Sequence, residues 1–217
     1  LYVKEFIGCS VRISLNLCLW LIFSDELFYL PNLAQISTNG MKQFLSVPAS
    51  NQSFGLQAMT EEIHATFRIE SIRSSRNSIR HILNGYAPRN EEESRIYGMK
   101  RGLDFIATAE AITEENLHQL YQISSGDYLP DEDRLLPDHF YRNAPVYVIA
   151  AKKSEGLPVQ QLPDAMKRLV DFANAKDVIN ELHKAAILHF AFAYYHPYFD
   201  GNGRTARLLP FGILFSR

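Results

Sequence analysis

The stretch His196-Pro197-Tyr198-Phe199-Asp200-Gly201-Asn202-Gly203-Arg204-Thr205-Ala206-Arg207 decides how the rest of the chain is read. It gathers an imidazole, a carboxylate, a glycine-flanked asparagine and two guanidiniums. An apolar run from Ala185 to Tyr195 leads in, with His189 its only strongly polar side chain, and the apolar residues Leu208 to Leu214 lead out. Two helices joined by a polar turn are therefore expected. The first, apolar on nearly all sides, reads as a buried core element with His189 a satisfied core histidine. Pro197 ends that helix and pushes His196 out of the right-handed region. The imidazole is then presented at the end of a rigid rod, where a base benefits from fixed geometry. Gly201 and Gly203 let backbone N–H groups point at one anion, and the helix starting near Arg204 adds its positive end. Arg204 and Arg207, three apart, reach the same side of its first turn. The pattern suits a loop that holds polyphosphate.

The same stretch resembles the Fic family signature, H-x-F-x-D/E-G-N-G-R-x-x-R. Its one departure is Tyr198, where the family usually has Phe; the extra hydroxyl needs a partner if buried. The resemblance implies a mainly α fold, a Fic-type helical bundle with a β-hairpin flap. Further helices normally follow in the family, so the chain reads as C-terminally truncated. The implied activity is protein adenylyltransferase: AMP passes from ATP to a Ser, Thr or Tyr hydroxyl of a target protein. Carried over by position, His196 is the catalytic base and Asp200 the Mg2+ ligand. Gly201, Asn202, Gly203, Arg204 and Arg207 become the nucleotide-phosphate contacts. An imidazole with its ordinary pKa of about 6.5 suits a base at neutral pH, and a hard carboxylate oxygen suits Mg2+. Alternatives within the same resemblance are AMP removal, transfer of another phosphate-containing group, or a non-catalytic regulatory module.

Upstream, Ser53 to Asn84 is helical in pattern, with Leu56, Met59, Ile63, Phe67 and Ile69 near a three-to-four spacing. Within it, Ala65 to Ser71 resembles the inhibitory helix motif of Fic proteins, S/T-x-x-x-E-G/N. Thr66 and Glu70 match and face one way on a helix; Ser71 stands where Gly or Asn is usual. The resemblance implies autoinhibition: the family's glutamate pairs with the second motif arginine, here Arg207, and competes with the γ-phosphate. Asn84 to Pro88 breaks the pattern. A second helix is expected over Asn90 to Ala109, with Glu91, Glu92 and Glu93 in its first turn. Thr113 is the expected N-cap of a third, through Ile123. Gly126 to Asn143 reads as a loop whose Asp131, Glu132 and Asp133 are solvated rather than metal-binding. Pro145 to Ala150 is the one clear β run; Lys152 to Gly156 supplies a turn and Leu157 to Val159 a short return strand. By resemblance, 145–159 is the flap on which an extended target segment docks by strand addition. Helices follow over Pro163 to Asn174 and Val178 to Tyr195.

The chain has 217 residues, 47% of them apolar, enough for one sizeable core. A formal net charge of −2 offers no basic footprint for nucleic acid. Cys9 and Cys18 form neither a C-x-x-C pair nor a metal pattern, so a reducing, cytoplasmic location is expected. No Walker-type P-loop sequence occurs. Val11 to Phe23 is too short and too polar for a comfortable membrane span, and no membrane partner is expected. Residues 1–40 read as a non-native or non-core extension, with Met41 the natural start. A packed N-terminal helix and a targeting segment are the alternatives. The domain reading is an N-terminal helical region over 41–110, carrying the inhibitory helix, and a catalytic core over 111–217. A homo-oligomer is left open.

Overall fold

A computed structural model describes residues 52–148, 154–176, 179 and 181–215. The readings made for residues 1–40 and for a start at Met41 lie outside the described residues. The described chain is mainly helical: α1 (Gln52–Ile69), α2 (Arg76–Leu83), α3 (Glu91–Ala107), α4 (Glu114–Ser124), α5 (Leu162–Asn174), α6 (Glu181–Tyr195) and α7 (Asn202–Phe215). Two short strands, β1 (Tyr147–Val148) and β2 (Ser154–Glu155), lie between α4 and α5. The chain divides into two compact units, and the division falls within α3 after Tyr97 and within α6 after Ala186.

In the first unit, the helical pattern expected over Ser53 to Asn84 is two helices rather than one. Ser71 takes a left-handed φ of 57°. Its N–H donates to the Arg68 carbonyl at 3.3 Å, and the Ile72 N–H to the Phe67 carbonyl at 2.8 Å. This closure ends α1 and satisfies carbonyls that the last turn leaves open. It also gives a reason why Gly or Asn suits the position: a Cβ there costs about 1–2 kcal/mol. Ser71→Gly is therefore expected to raise stability by about 1 kcal/mol, less the entropy a glycine adds to the unfolded chain. A urea melt with an unchanged or lower midpoint would count against this assignment.

Ser75 then starts α2, its side chain accepting from the Ser78 N–H at 3.0 Å. Helices α1 and α2 pack on each other, burying Ile63, Phe67, Ile79 and Ile82. The acidic start of α3 does more than suit the helix dipole. Asn90 caps it, its side chain accepting from the Glu93 N–H at 2.9 Å. The Glu93 carboxylate is buried and bound by the Arg89 backbone and guanidinium. The hydrogen bond from Arg89 is the first cause that holds its pKa at about 2. The stabilisation this pair adds is present above the usual carboxylate range and fades as pH falls toward 2.

In the second unit, α4 begins as its sequence indicates, with Thr113 accepting from the Asn116 N–H at 3.1 Å. It buries Leu117, Leu120 and Tyr121 and packs on α7 and on α5. Gly102 of α3 packs closely here: a Cβ there would meet Leu208 at 3.0 Å and Ser124 at 3.2 Å. Asn174, closing α5, binds both backbone groups of Ile112, accepting at 3.1 Å and donating at 2.6 Å.

The β run pairs antiparallel, Tyr147 opposite Glu155 and Val148 opposite Ser154. The return strand is thus earlier than the expected Leu157 to Val159. Pro158 has no N–H for a ladder, and Val159–Gln161 coils into a 3-10 turn before α5.

Helix α6 departs from its reading as a core rod. Leu188 and Phe192 are fully buried, but Ile187, Phe190 and Tyr194 are 38%, 58% and 57% exposed. An apolar composition all round is not burial all round. Among the described residues, no helix is long and apolar enough to cross a membrane.

Candidate active site

His196 follows the last residue of α6. Its N–H donates to the Phe192 carbonyl at 3.1 Å, completing the final turn. Its φ is then 51°, in the left-handed region. Pro197 explains the exit from the right-handed helix. The left-handed setting costs about 1–3 kcal/mol and persists only where the surroundings over-determine it. The ring Nδ1 lies 3.3 Å from the Ala193 carbonyl. A carbonyl only accepts, so this bond exists only when Nδ1 carries the proton. The tautomer it selects has its lone pair on Nε2.

The chain next turns through Tyr198, which is 1% exposed. Its ring stacks on Tyr121 at 3.9 Å and meets Phe192 edge-on at 5.8 Å. The hydroxyl that departs from the usual phenylalanine donates to the Leu117 carbonyl at 3.3 Å. Burial pushes its pKa well up, so it stays protonated as a donor.

Asn202 differs from its sequence reading. Its amide is spent on the loop itself: Oδ1 accepts from the Tyr198 N–H at 2.9 Å, and Nδ2 donates to the Tyr198 carbonyl at 2.8 Å. The side chain braces the turn, which leaves the backbone N–H as its means of meeting an anion. Gly201 caps α7, its carbonyl accepting from the Thr205 N–H and hydroxyl, both at 3.0 Å. The first N–H groups of any α-helix lack acceptors within it, and those of Asn202 and Gly203 belong to this first turn. A helix N-terminus of this kind, with its dipole, suits an anion.

Gly201 has to be glycine. Its φ is 80°, and a Cβ would stand 2.6 Å from the Cβ of Ser125. Gly201→Ala is expected to cost about 2 kcal/mol or more, from left-handed strain and overpacking together. A chemical-denaturation midpoint equal to wild type would show that the loop shifts freely.

Asp200 is half-exposed, with one oxygen on the Gly201 N–H and the other 3.3 Å from Arg204 Nη2. Arg204 is 3% exposed, so its guanidinium is buried beside Asp200. Arg207 is half-buried one turn further on. His189 sits across from it: Arg207 is one of the groups depressing the His189 pKa, after burial itself. His189 Nδ1 donates to the Ala206 carbonyl at 2.9 Å. The reason is four residues on. Pro210 lies inside α7 and has no N–H to offer that carbonyl. His189 replaces the missing donor, so it is a satisfied core histidine, as read from sequence.

A single carboxylate is what Mg2+ asks of a protein when substrate phosphates supply the other oxygens. Among the described residues no group of three or more metal-ligating side chains occurs. Asp200, half-exposed at the mouth of the loop, fits the former pattern.

Thr66 and Glu70 lie in the first unit. Thr66 is buried at 1% exposure. Glu70 follows the last residue of α1, half-exposed, its N–H donating to the Thr66 carbonyl at 3.2 Å. Sequence reasoning passed over Arg142, 2% exposed in the loop before β1, and Ser125, which with Tyr121 forms the floor under Gly201. Tyr121 is read from sequence as buried on α4, and it is buried; its place under the turn carries no signal in the sequence. A lone arginine in an acidic loop carries none either.

The helix pair, the turn with its histidine and glycines, and the arginines of the following helix are the parts of one class of protein. Residues 110–214, just under half of the chain, match the Fic/DOC family model. It is similar to protein adenylyltransferase Fic of Nematostella vectensis, 29% identical over 132 residues, 57% of this chain and 29% of that protein. It is similar also to protein adenylyltransferase fic-1 of Caenorhabditis elegans, 30% identical over 124 residues, 54% of this chain and 23% of that protein. The chain thus matches less than a third of the length of these curated relatives. Among solved structures, a Fic domain containing signaling protein from Bacteroides thetaiotaomicron superposes with a TM-score of 0.66 at 21% identity, covering 79% of this chain and 70% of that one. Fic-1 from Caenorhabditis elegans gives 0.63 at 22% identity, covering 86% and 58%. At these identities the structural likeness is one of fold.

Proposed function

We propose that this protein transfers AMP from ATP to a hydroxyl of a target protein. One observation carries the reading. A single short turn joins an imidazole, its Nδ1 facing the Ala193 carbonyl, to a helix N-terminus bearing Arg204 and Arg207. A base beside an anion-binding end is what attack of a hydroxyl on a phosphate requires. The names of the curated relatives agree with it.

In this mechanism the Nε2 of His196 takes the proton as the Ser, Thr or Tyr oxygen bonds the α-phosphorus. The bond from that phosphorus to the β-phosphate oxygen breaks, and diphosphate leaves. The backbone N–H groups of Asn202 and Gly203 hold phosphate oxygens, while that of Gly201 is taken by Asp200. Planar guanidiniums at 204 and 207 give charge-assisted contacts to the outer phosphates. Asp200 would hold Mg2+, which neutralises charge on the phosphates when bound. The β1–β2 hairpin receives an extended target segment by strand addition. Glu70 acts as an inhibitory carboxylate.

The test is intact-mass measurement after incubation with ATP and Mg2+, on the protein itself and on proteins of a lysate. A gain of one AMP is expected. Nucleotide binding with no mass gain on any protein would overturn the reading. Asp200→Ala should remove the dependence of ATP affinity on Mg2+; identical titrations in variant and wild type would take the metal away from Asp200.

A further inference from the structure

We infer that Arg142 is a positioning residue for His196, holding its left-handed backbone and tying it to the stem of the β1–β2 hairpin. Three consecutive carbonyls, those of Tyr195, His196 and Pro197, accept from segments that flank the hairpin. The Leu157 N–H binds the first at 3.2 Å, and the Arg142 N–H binds the third at 2.9 Å. The middle one, of His196 itself, accepts from Arg142 Nε at 2.8 Å. The same guanidinium donates through Nη1 to the Ala144 carbonyl at 2.8 Å, just before β1. Through Nη2 it donates to the Leu157 carbonyl, just after β2. One planar fork thus grips both legs of the hairpin and the backbone of the base.

The residue is costly to bury. It is 2% exposed, and among the described residues no carboxylate pairs with it. A guanidinium keeps its charge even so, since its ordinary pKa lies above about 12. A buried charge without a counter-ion needs its donors filled, and here neutral carbonyls fill them. A lysine ammonium carries its three donors on one nitrogen, so it does not span acceptors that the guanidinium meets from three separate nitrogens. The guanidinium therefore over-determines the left-handed setting of His196, and that setting aims the ring. Gly156 shows how closely the parts meet: a Cβ there would stand 2.9 Å from Arg142 Nη2 and 3.1 Å from the His196 Cβ.

This inference rests on His196 being the base, so its test carries a readout independent of activity. In the full chain with 15N-labelled histidine, the His196 ring resonances are assigned by their loss in His196→Ala. Arg142→Lys is expected to move those resonances and to mix the ring tautomers. It should lower kcat about ten- to a hundredfold, the scale of a small misplacement of a catalytic group, with KM for ATP unchanged. Gly156→Ala, which presses on the same two groups from the stem, should move the same resonances. Wild-type ring resonances in a folded Arg142→Lys protein would overturn the inference. So would a kcat that falls only in proportion to lost folded protein. If Arg142→Lys does not fold, Gly156→Ala decides: an unmoved His196 ring there overturns it. If wild type transfers no AMP, the proposed activity fails, while the resonances still decide whether Arg142 positions the ring.

Discussion

His196→Ala is expected to lower AMP transfer by about 100- to 10,000-fold, the range for loss of a general base, while ATP still binds. The separation follows from where the groups come from. The imidazole follows the end of α6, whereas the proposed phosphate contacts are the Asn202 and Gly203 backbone and arginines on α7. Removing the ring leaves Gly201 capping α7 and Asn202 bracing Tyr198, so the turn keeps its shape. Labelled-AMP incorporation and ATP binding, measured on the same preparation, check both halves. Full incorporation by the variant would remove His196 from the mechanism. Loss of ATP binding along with transfer would make it a structural residue.

The second large effect runs the other way. Glu70→Gly is expected to raise AMP incorporation about tenfold or more, the factor given by 1.4 kcal/mol of relieved competition. On the proposed autoinhibition, a carboxylate competes with an outer phosphate for a guanidinium, to which both groups make charge-assisted contacts. Arg207→Ala should not raise incorporation, since it deletes a phosphate contact as well. The end of α1 makes a control necessary. Glu70 directly precedes the left-handed Ser71 in the closing turn, so glycine there also loosens the helix end. Glu70→Gln removes the charge and keeps the side chain, and it should activate too. Activation by glycine alone would point to the helix end rather than the carboxylate. Equal incorporation by wild type and both variants would return Glu70 to an ordinary helix-end residue.

How much was legible beforehand depended on the range of the physics involved. The residues of the turn were readable because their chemistry is local: proline ends a helix, glycine admits a positive φ, and Thr113 caps α4. The break at Ser71 was missed because serine is not a strong breaker; the closure lies in backbone bonds that the side chain does not announce. The exposed face of α6 was missed because composition reports hydrophobicity, not which neighbours cover it. Asn202 was assigned outward, to a ligand, because an amide in a polar loop carries no sign of its direction. Its partners on Tyr198 appear only once the turn has closed.

The sequence alone determined the family signature, the mainly helical class and the place of the candidate base, since each depends on residues close together in the chain. The tertiary structure decided what holds them. Arg142 reaches His196 across 54 positions, His189 replaces the donor that Pro210 withholds, and Ser125 leaves no room for a side chain at Gly201. A hydrogen bond needs its donor and acceptor only near in space, and nearness in space is what a folded chain adds to its sequence.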